Sequence, residues 1–116
     1  MTHAGLGGML ELLGQEQACY TALLDLSREQ KRLISEDLLV EAGRLMARKQ
    51  KVLLRLRGVV KRLKPGKERW GALRNSLDLD QRQVLDLSLA TAEELLAELI
   101  ASERESEEIL CRSLAA

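Results

Sequence analysis

The residues of this chain that could do chemistry are few, and their spacing does not bring them together. His3 is the single histidine and sits at the very start of the chain. Cys19 and Cys111 stand far apart, with no CxxC pair and no metal-ligand spacing around either. No Ser-His or Cys-His pair can therefore form within the body of the chain, and there is no glycine-rich phosphate loop. Acids do cluster, as Glu93-Glu94, Glu98, Glu103 and Glu107-Glu108. A metal pair in a helical bundle would draw on Glu-x-x-His motifs from facing helices, and these acids have no histidine beside them. They read as a solvated helix face, and the cysteines as the reduced thiols of a cytosolic protein. No catalytic residue, metal ligand or cofactor is assigned, and the chain is expected not to be an enzyme.

Charge offers a second kind of chemistry. Between Arg44 and Arg69 there are eleven Lys or Arg and one acid, Glu68; between Asp78 and Glu108 there are ten acids against Arg82 and Arg104. The net charge of zero hides one basic and one acidic segment. Arg44, Arg48, Lys51, Arg55 and Arg62 fall on one side of a helix, a stripe of the kind that grips phosphate backbones. Against a nucleic-acid partner stand the neutral chain as a whole, the near absence of aromatics (Tyr20 and Trp70 only) and the acidic segment itself. The expectation is that the two segments lie antiparallel with their charges matched. Exposed pairs contribute only ~0–1 kcal/mol each, so charge would select the pairing more than stabilise it.

The elements that position these residues follow from apolar spacing. With 116 residues, no Phe, one Pro and an abundance of Leu, Ala, Glu, Arg and Lys, the chain has the composition of long helices around one aliphatic core. It has no apolar run long enough to insert into a membrane. The opening MTHAGLGG lacks the features of a signal peptide, and its glycines suggest a flexible lead-in over residues 1–8 before a single helical domain over 9–116.

The first helix is expected over about 9–34, on the stripe Met9, Leu12, Glu16, Cys19, Leu23, Leu26, Gln30 and Leu33. Glu16 and Gln30 interrupt it, and polar stripe positions commonly set register. The second is expected over about 36–64, capped by Ser35 with Glu36 and Asp37 in its first turn. A hairpin turn and a bend in one continuous helix both fit the sequence around Ser35. The second stripe, Leu38, Ala42, Leu45, Lys49, Val52, Leu56, Val59 and Leu63, is flanked by Leu39, Met46, Leu53 and Val60. Together they make a wide face for packing into a bundle. Lys49 can lay its stem along the seam, and a Glu16–Lys49 contact across the hairpin is geometrically reasonable. Lys64-Pro65-Gly66 should end this helix, because Pro disfavours a helical residue before it. A connector follows, with a short turn around Trp70, Leu73 and Leu77, Trp70 plugging the bundle end. The third helix is expected over about 79–114, capped by Asp78 or Asp80.

These spans make an all-α fold, an antiparallel long hairpin plus a third long helix. At 1.5 Å per residue the first two helices are about 37–39 Å long and the third about 50 Å. The third should then overhang the hairpin and leave Ile109 and Leu110 uncovered.

The stretch from Leu26 through Arg28-Glu29-Gln30 and Ser35-Glu36-Asp37-Leu38 to Lys49-Gln50-Lys51-Val52-Leu53-Leu54 resembles the flagellar export chaperones of the FlgN type. The last part, from Trp70 through Ala92-Glu93-Glu94-Leu95-Leu96 to Ile100, is similar to that family's last helix. The resemblance covers about residues 9 to 112. Where the family's last helix often carries Asn, this chain has Ser102, Ser106 and Ser113, so those positions do not transfer. The resemblance implies a small bacterial cytoplasmic protein that holds the C-terminal helical segments of hook–filament junction (hook-associated) proteins before type III export, with the export apparatus as a further partner. It places the binding region towards the C-terminus. On the residues themselves, a partner's amphipathic helix would cover Leu95, Leu96, Leu99, Ile100, Ile109 and Leu110. The alternatives are a self-associating coiled-coil adaptor using the same turns as a homodimer seam, and, less favoured, a nucleic-acid binder.

Overall fold

The computed structural model describes the backbone of residues 2–115 and the side chains of residues 5–115. Met1 and the side chain of His3 lie outside the described residues. Among those described, the chain forms four helices and no strand: α1 Thr2–Ser35, α2 Leu39–Glu68, α3 Trp70–Asn75 and α4 Leu79–Ala115. The all-α architecture agrees with the sequence expectation.

Helix α1 begins at Thr2, about two turns before the start near Met9 expected from the sequence. Glycine in a helix interior costs about 1 kcal/mol relative to alanine, so Gly5, Gly7 and Gly8 weigh against a helix. Burying a Leu or Met contributes about 2 kcal/mol each, and Leu6 and Met9 are both in the core. Tertiary burial offsets the poor propensity.

The turn between α1 and α2 also differs from expectation. Ser35 is the last residue of α1, and its hydroxyl donates to the Lys31 carbonyl at 2.9 Å. Asp37 adopts φ 62, the left-handed region. The Leu38 amide donates back to the Leu33 carbonyl at 2.8 Å and the Asp37 amide to the Ile34 carbonyl at 3.1 Å. This is the Schellman closure, which satisfies the orphan carbonyls of a helix end. Glycine favours it, but a short acidic side chain tolerates it. The Ser-Glu-Asp run therefore ends one helix, and the residues do form a hairpin turn.

Helix α2 passes through Pro65 and ends at Glu68, where the sequence led us to expect a stop at Lys64. Proline removes one donor, leaving the Lys61 carbonyl without its helical partner, and Lys61 is exposed to water. The turn recovers at once, the Arg69 amide donating to the Pro65 and Gly66 carbonyls. A side chain at Gly66 would place its Cβ 2.7 Å from the Met9 sulfur, so the flexible end of Met9 would have to move to admit one.

Asp78 starts α4. Its carboxylate accepts from the Gln81 amide at 2.8 Å, and the Gln81 side chain accepts from the Asp78 amide at 3.1 Å, a reciprocal capping box. Of the two acids the sequence offered as caps, the structure uses Asp78.

Helix α1 is the hub. It packs against α2 on one side and α4 on the other, whereas α2 and α4 make almost no close backbone approach. Pairs at increasing height, Gln17 with Ser88, Ser27 with Ser102 and Lys31 with Glu105, show that α4 runs parallel to α1. Contacts of Gln30 with Ala42 and Glu16 with Lys67 show that α2 is antiparallel to both. The rod measures 58 × 22 × 18 Å. Helix α4 still runs past the end of α1, its residues 111–115 all exposed, but the overhang starts beyond Leu110, later than expected. Ile109 and Leu110 pack, half-buried, on Leu33, Ile34 and Ala42.

Candidate docking cleft

The core divides into three apolar clusters along the rod. At the α3 end, Leu6, Met9, Leu13, Val59, Leu63, Leu77 and Leu85 are buried, with Trp70 and Leu73 packed over them. Trp70 thus serves as the plug its size suggested. In the middle lie Tyr20, Leu23, Ala92 and Leu99, and at the hairpin end Leu33, Ile34 and Ala42.

Polar groups separate the clusters. The buried Glu16 carboxylate takes the Tyr20 hydroxyl at 3.4 Å and the Lys67 ammonium at 3.6 Å. Burial, with the Glu16 charge beside it, pushes the Tyr20 phenol up to about 12. Further along, the buried Lys49 ammonium binds Glu103 at 2.5 Å and donates to the Gln30 side-chain oxygen at 2.9 Å. Gln30 in turn donates to the Ala42 carbonyl at 3.2 Å, and Ser27 meets Ser102 at 2.8 Å. The expected Glu16–Lys49 contact is not formed. Lys49 is level with Leu23, about two turns beyond Glu16, and takes its acid from α4.

The wide apolar face read on α2 is only half used. Val59 and Leu63 are buried, but the accompanying line Leu39, Met46, Leu53 and Val60 is 38–44% exposed. The reason is topological. With α1 the only helix closely packed on α2, one stripe suffices, and the second line is left half-exposed, its Leu53 lining the gap between α2 and α4. Across that gap stand Leu96 and Ile100, 37% and 43% exposed.

A cleft results. Its deeper part, a hollow of about 470 Å³, is lined by Leu53, Ile100, Leu99 and Leu23 and edged by Lys49, Glu103, Arg104 and Glu107. A smaller hollow of about 250 Å³ lies towards the α3 end, between Tyr20, Leu89, Leu96, Trp70, Lys67 and Glu93.

The six residues proposed from sequence as a partner-binding face separate in the structure. Leu96 and Ile100 line the cleft. Leu99 is buried, and Leu95 is half-buried against the same cluster. Ile109 and Leu110 belong to the hairpin-end core. Leu53 joins the site from α2. The seven-residue recurrence of its line was visible in the sequence, but it has the same form as a core stripe.

The charges are also arranged differently from expectation. Among the described residues, four acids of α4 cross to a neighbour: Glu98 to Arg28 of α1 at 3.6 Å, Glu105 to Lys31 of α1 at 2.6 Å, Asp86 to Arg74 of α3 at 3.1 Å, and Glu103 to Lys49 of α2. Among the described residues, only Lys49 and Lys67 of the basic residues from 44 to 69 take part in ion pairs. Charge matching between α2 and α4 is therefore confined to the Lys49–Glu103 pair among the described residues. Most of the α2 cations face water.

Cys19 is buried and Cys111 exposed, both free thiols; burial raises the Cys19 thiol and makes it a poor nucleophile. Among the described residues, no helix is long and apolar enough to cross a membrane. Comparison with known protein families, with curated proteins and with solved structures finds no match to this chain.

Proposed function

We propose that this chain is a non-catalytic helix-binding protein, an export chaperone of the FlgN type whose α2/α4 cleft receives an amphipathic helix. The observation that carries this reading is the hollow in which half-exposed Leu53 of α2 faces Ile100 of α4 over Leu23 of α1, with Leu96, also half-exposed, further along. A guest helix would complete the apolar layer that three helices leave open, in the manner of helix-in-groove recognition. The guest proposed is the C-terminal helical segment of a hook–filament junction protein, held unassembled in the cytoplasm before type III export. The likeness of Arg28-Glu29-Gln30, Ser35-Glu36-Asp37-Leu38 and Lys49-Gln50-Lys51-Val52-Leu53-Leu54 to that chaperone family supports this choice.

Calorimetric titration with peptides of those C-terminal segments tests the reading. The wild-type chain should bind, and the double substitution Leu53→Gln with Ile100→Gln should weaken binding by about tenfold or more, equivalent to about 1.4 kcal/mol. Absence of binding by the wild type rejects the guest. Equal binding by both proteins rejects the cleft.

A further inference from the structure

We infer that, in the absence of a guest, the α2/α4 face is covered by a second copy of this chain, in a two-fold dimer that sets α2 of each copy over α4 of the other. The inference rests on the reading of this face as a docking surface and names what closes it in the free protein.

The face carries two rows of unlike charge. Beside the apolar line of α2, Arg57 and Lys61 are exposed and unpaired among the described residues. Beside Leu96 and Ile100 on α4 stands Glu93, also exposed and without an ion pair there. The Lys49–Glu103 bond fixes the relative height of the two helices. Counting along each helix from it puts Glu93 at a height between Arg57 and Lys61.

Symmetry then selects the arrangement. A two-fold axis parallel to the rod keeps every residue at its own height and exchanges left for right. It lays α2 antiparallel on the other copy's α4, with Arg57 and Lys61 flanking that copy's Glu93 twice over. Leu53, Val60, Leu96 and Ile100 of both copies then meet at the centre of a square of four antiparallel helices. An axis across the rod would instead stack α2 on α2, setting unpaired cations against one another, which like-charge repulsion disfavours. The area is sufficient. At 1.5 Å per residue α2 is about 45 Å long, and with a rod about 20 Å wide the face offers roughly 900 Å², against the ~800 Å² per partner of a stable interface. Isologous contacts of this kind close on themselves and do not propagate into fibres.

Sedimentation of the chain alone at micromolar concentration, with no guest present, tests the inference. It should sediment as a dimer. Arg57→Glu with Lys61→Glu sets acids opposite the other copy's Glu93, and Glu93→Lys sets a cation opposite its Arg57 and Lys61. Each variant alone should dimerise tenfold or more weakly, while an equimolar mixture of the two should recover a heterodimer. All three positions are exposed and outside the intramolecular ion pairs, and far-UV circular dichroism checks that helicity is retained. A wild-type monomer overturns the inference, as does a dimer indifferent to the reversals or a mixture that stays monomeric. Guest capture is measured separately on the full chain. A monomer that binds the peptides leaves the function standing without the dimer, and a dimer whose monomeric variants bind no peptide does the reverse.

Discussion

The two ends of this rod solve the same packing problem differently. At the α3 end, α1, α2, α3 and α4 close around seven buried apolar side chains, with Trp70 and Leu73 packed over them. Arg74 pins α3 to Asp86 of α4 at 3.1 Å, and the Arg82 guanidinium donates to the Arg74 carbonyl at 2.9 Å. In the other half there is no α3. Helices α2 and α4 are tied by Lys49, Gln30 and Glu103, and the apolar residues beside that tie are left half-exposed. The short helix adds a fourth element over the core at its own end, where a hollow of about 500 Å³ remains between α1, α2 and α3 beside Met9, Leu12, Pro65 and Leu73; beyond it, among the described residues, nothing covers the gap between α2 and α4. The most deeply buried cluster therefore lies at one end, and the hollow between Leu53 and Ile100 lies further along the rod.

Substitutions should separate the halves. The largest effect belongs to the closed end. Leu85 is fully buried there, and Leu85→Ala should cost about 3 kcal/mol, the sum of lost transfer energy and the cavity left behind. Chemical denaturation followed by helicity measures it. A cost below about 1 kcal/mol would mean that the closed end is not the stability centre. A smaller effect is expected at the tie. Glu103→Ala leaves the buried Lys49 ammonium with Gln30 alone and should cost about 2 kcal/mol, less than for a fully buried pair because Glu103 is partly in water. Lys49→Met in that background should recover much of the loss, because an apolar side chain of similar length needs no partner.

The closed end was largely legible in the sequence. Met9, Val59, Leu63 and Leu85 fall on stripes of helical period, Asp78 signals a start, and Trp70, Leu73 and Leu77 mark a short turn. What the sequence concealed depends on interactions between helices. Gly5, Gly7 and Gly8 disfavour a helix locally, and only the burial of Leu6 and Met9 reverses that. Pro65 is tolerated because one exposed carbonyl can turn to water. Asp37 closes α1 in a conformation usually given to glycine. Above all, an apolar row has the same period whether it is covered or open. Leu53 and Leu56 look alike along α2, yet one faces the gap and the other α1, because α4 packs on α1 and stands away from α2. The partner of Lys49 was hidden for the same reason: Glu103 lies on a helix whose height is set by Gln17–Ser88 and Ser27–Ser102 contacts, far from the hairpin turn.

The central claim is that the rows facing the α2/α4 gap are a docking surface and not core. Equilibrium unfolding of the Leu53→Gln, Ile100→Gln variant beside the wild type, extrapolated to low protein concentration so that self-association drops out, tests it most directly. The account predicts stabilities within about 0.5 kcal/mol of each other, as for surface substitutions. A loss approaching that of Leu85→Ala would contradict it, placing these side chains in the core that holds the single chain together.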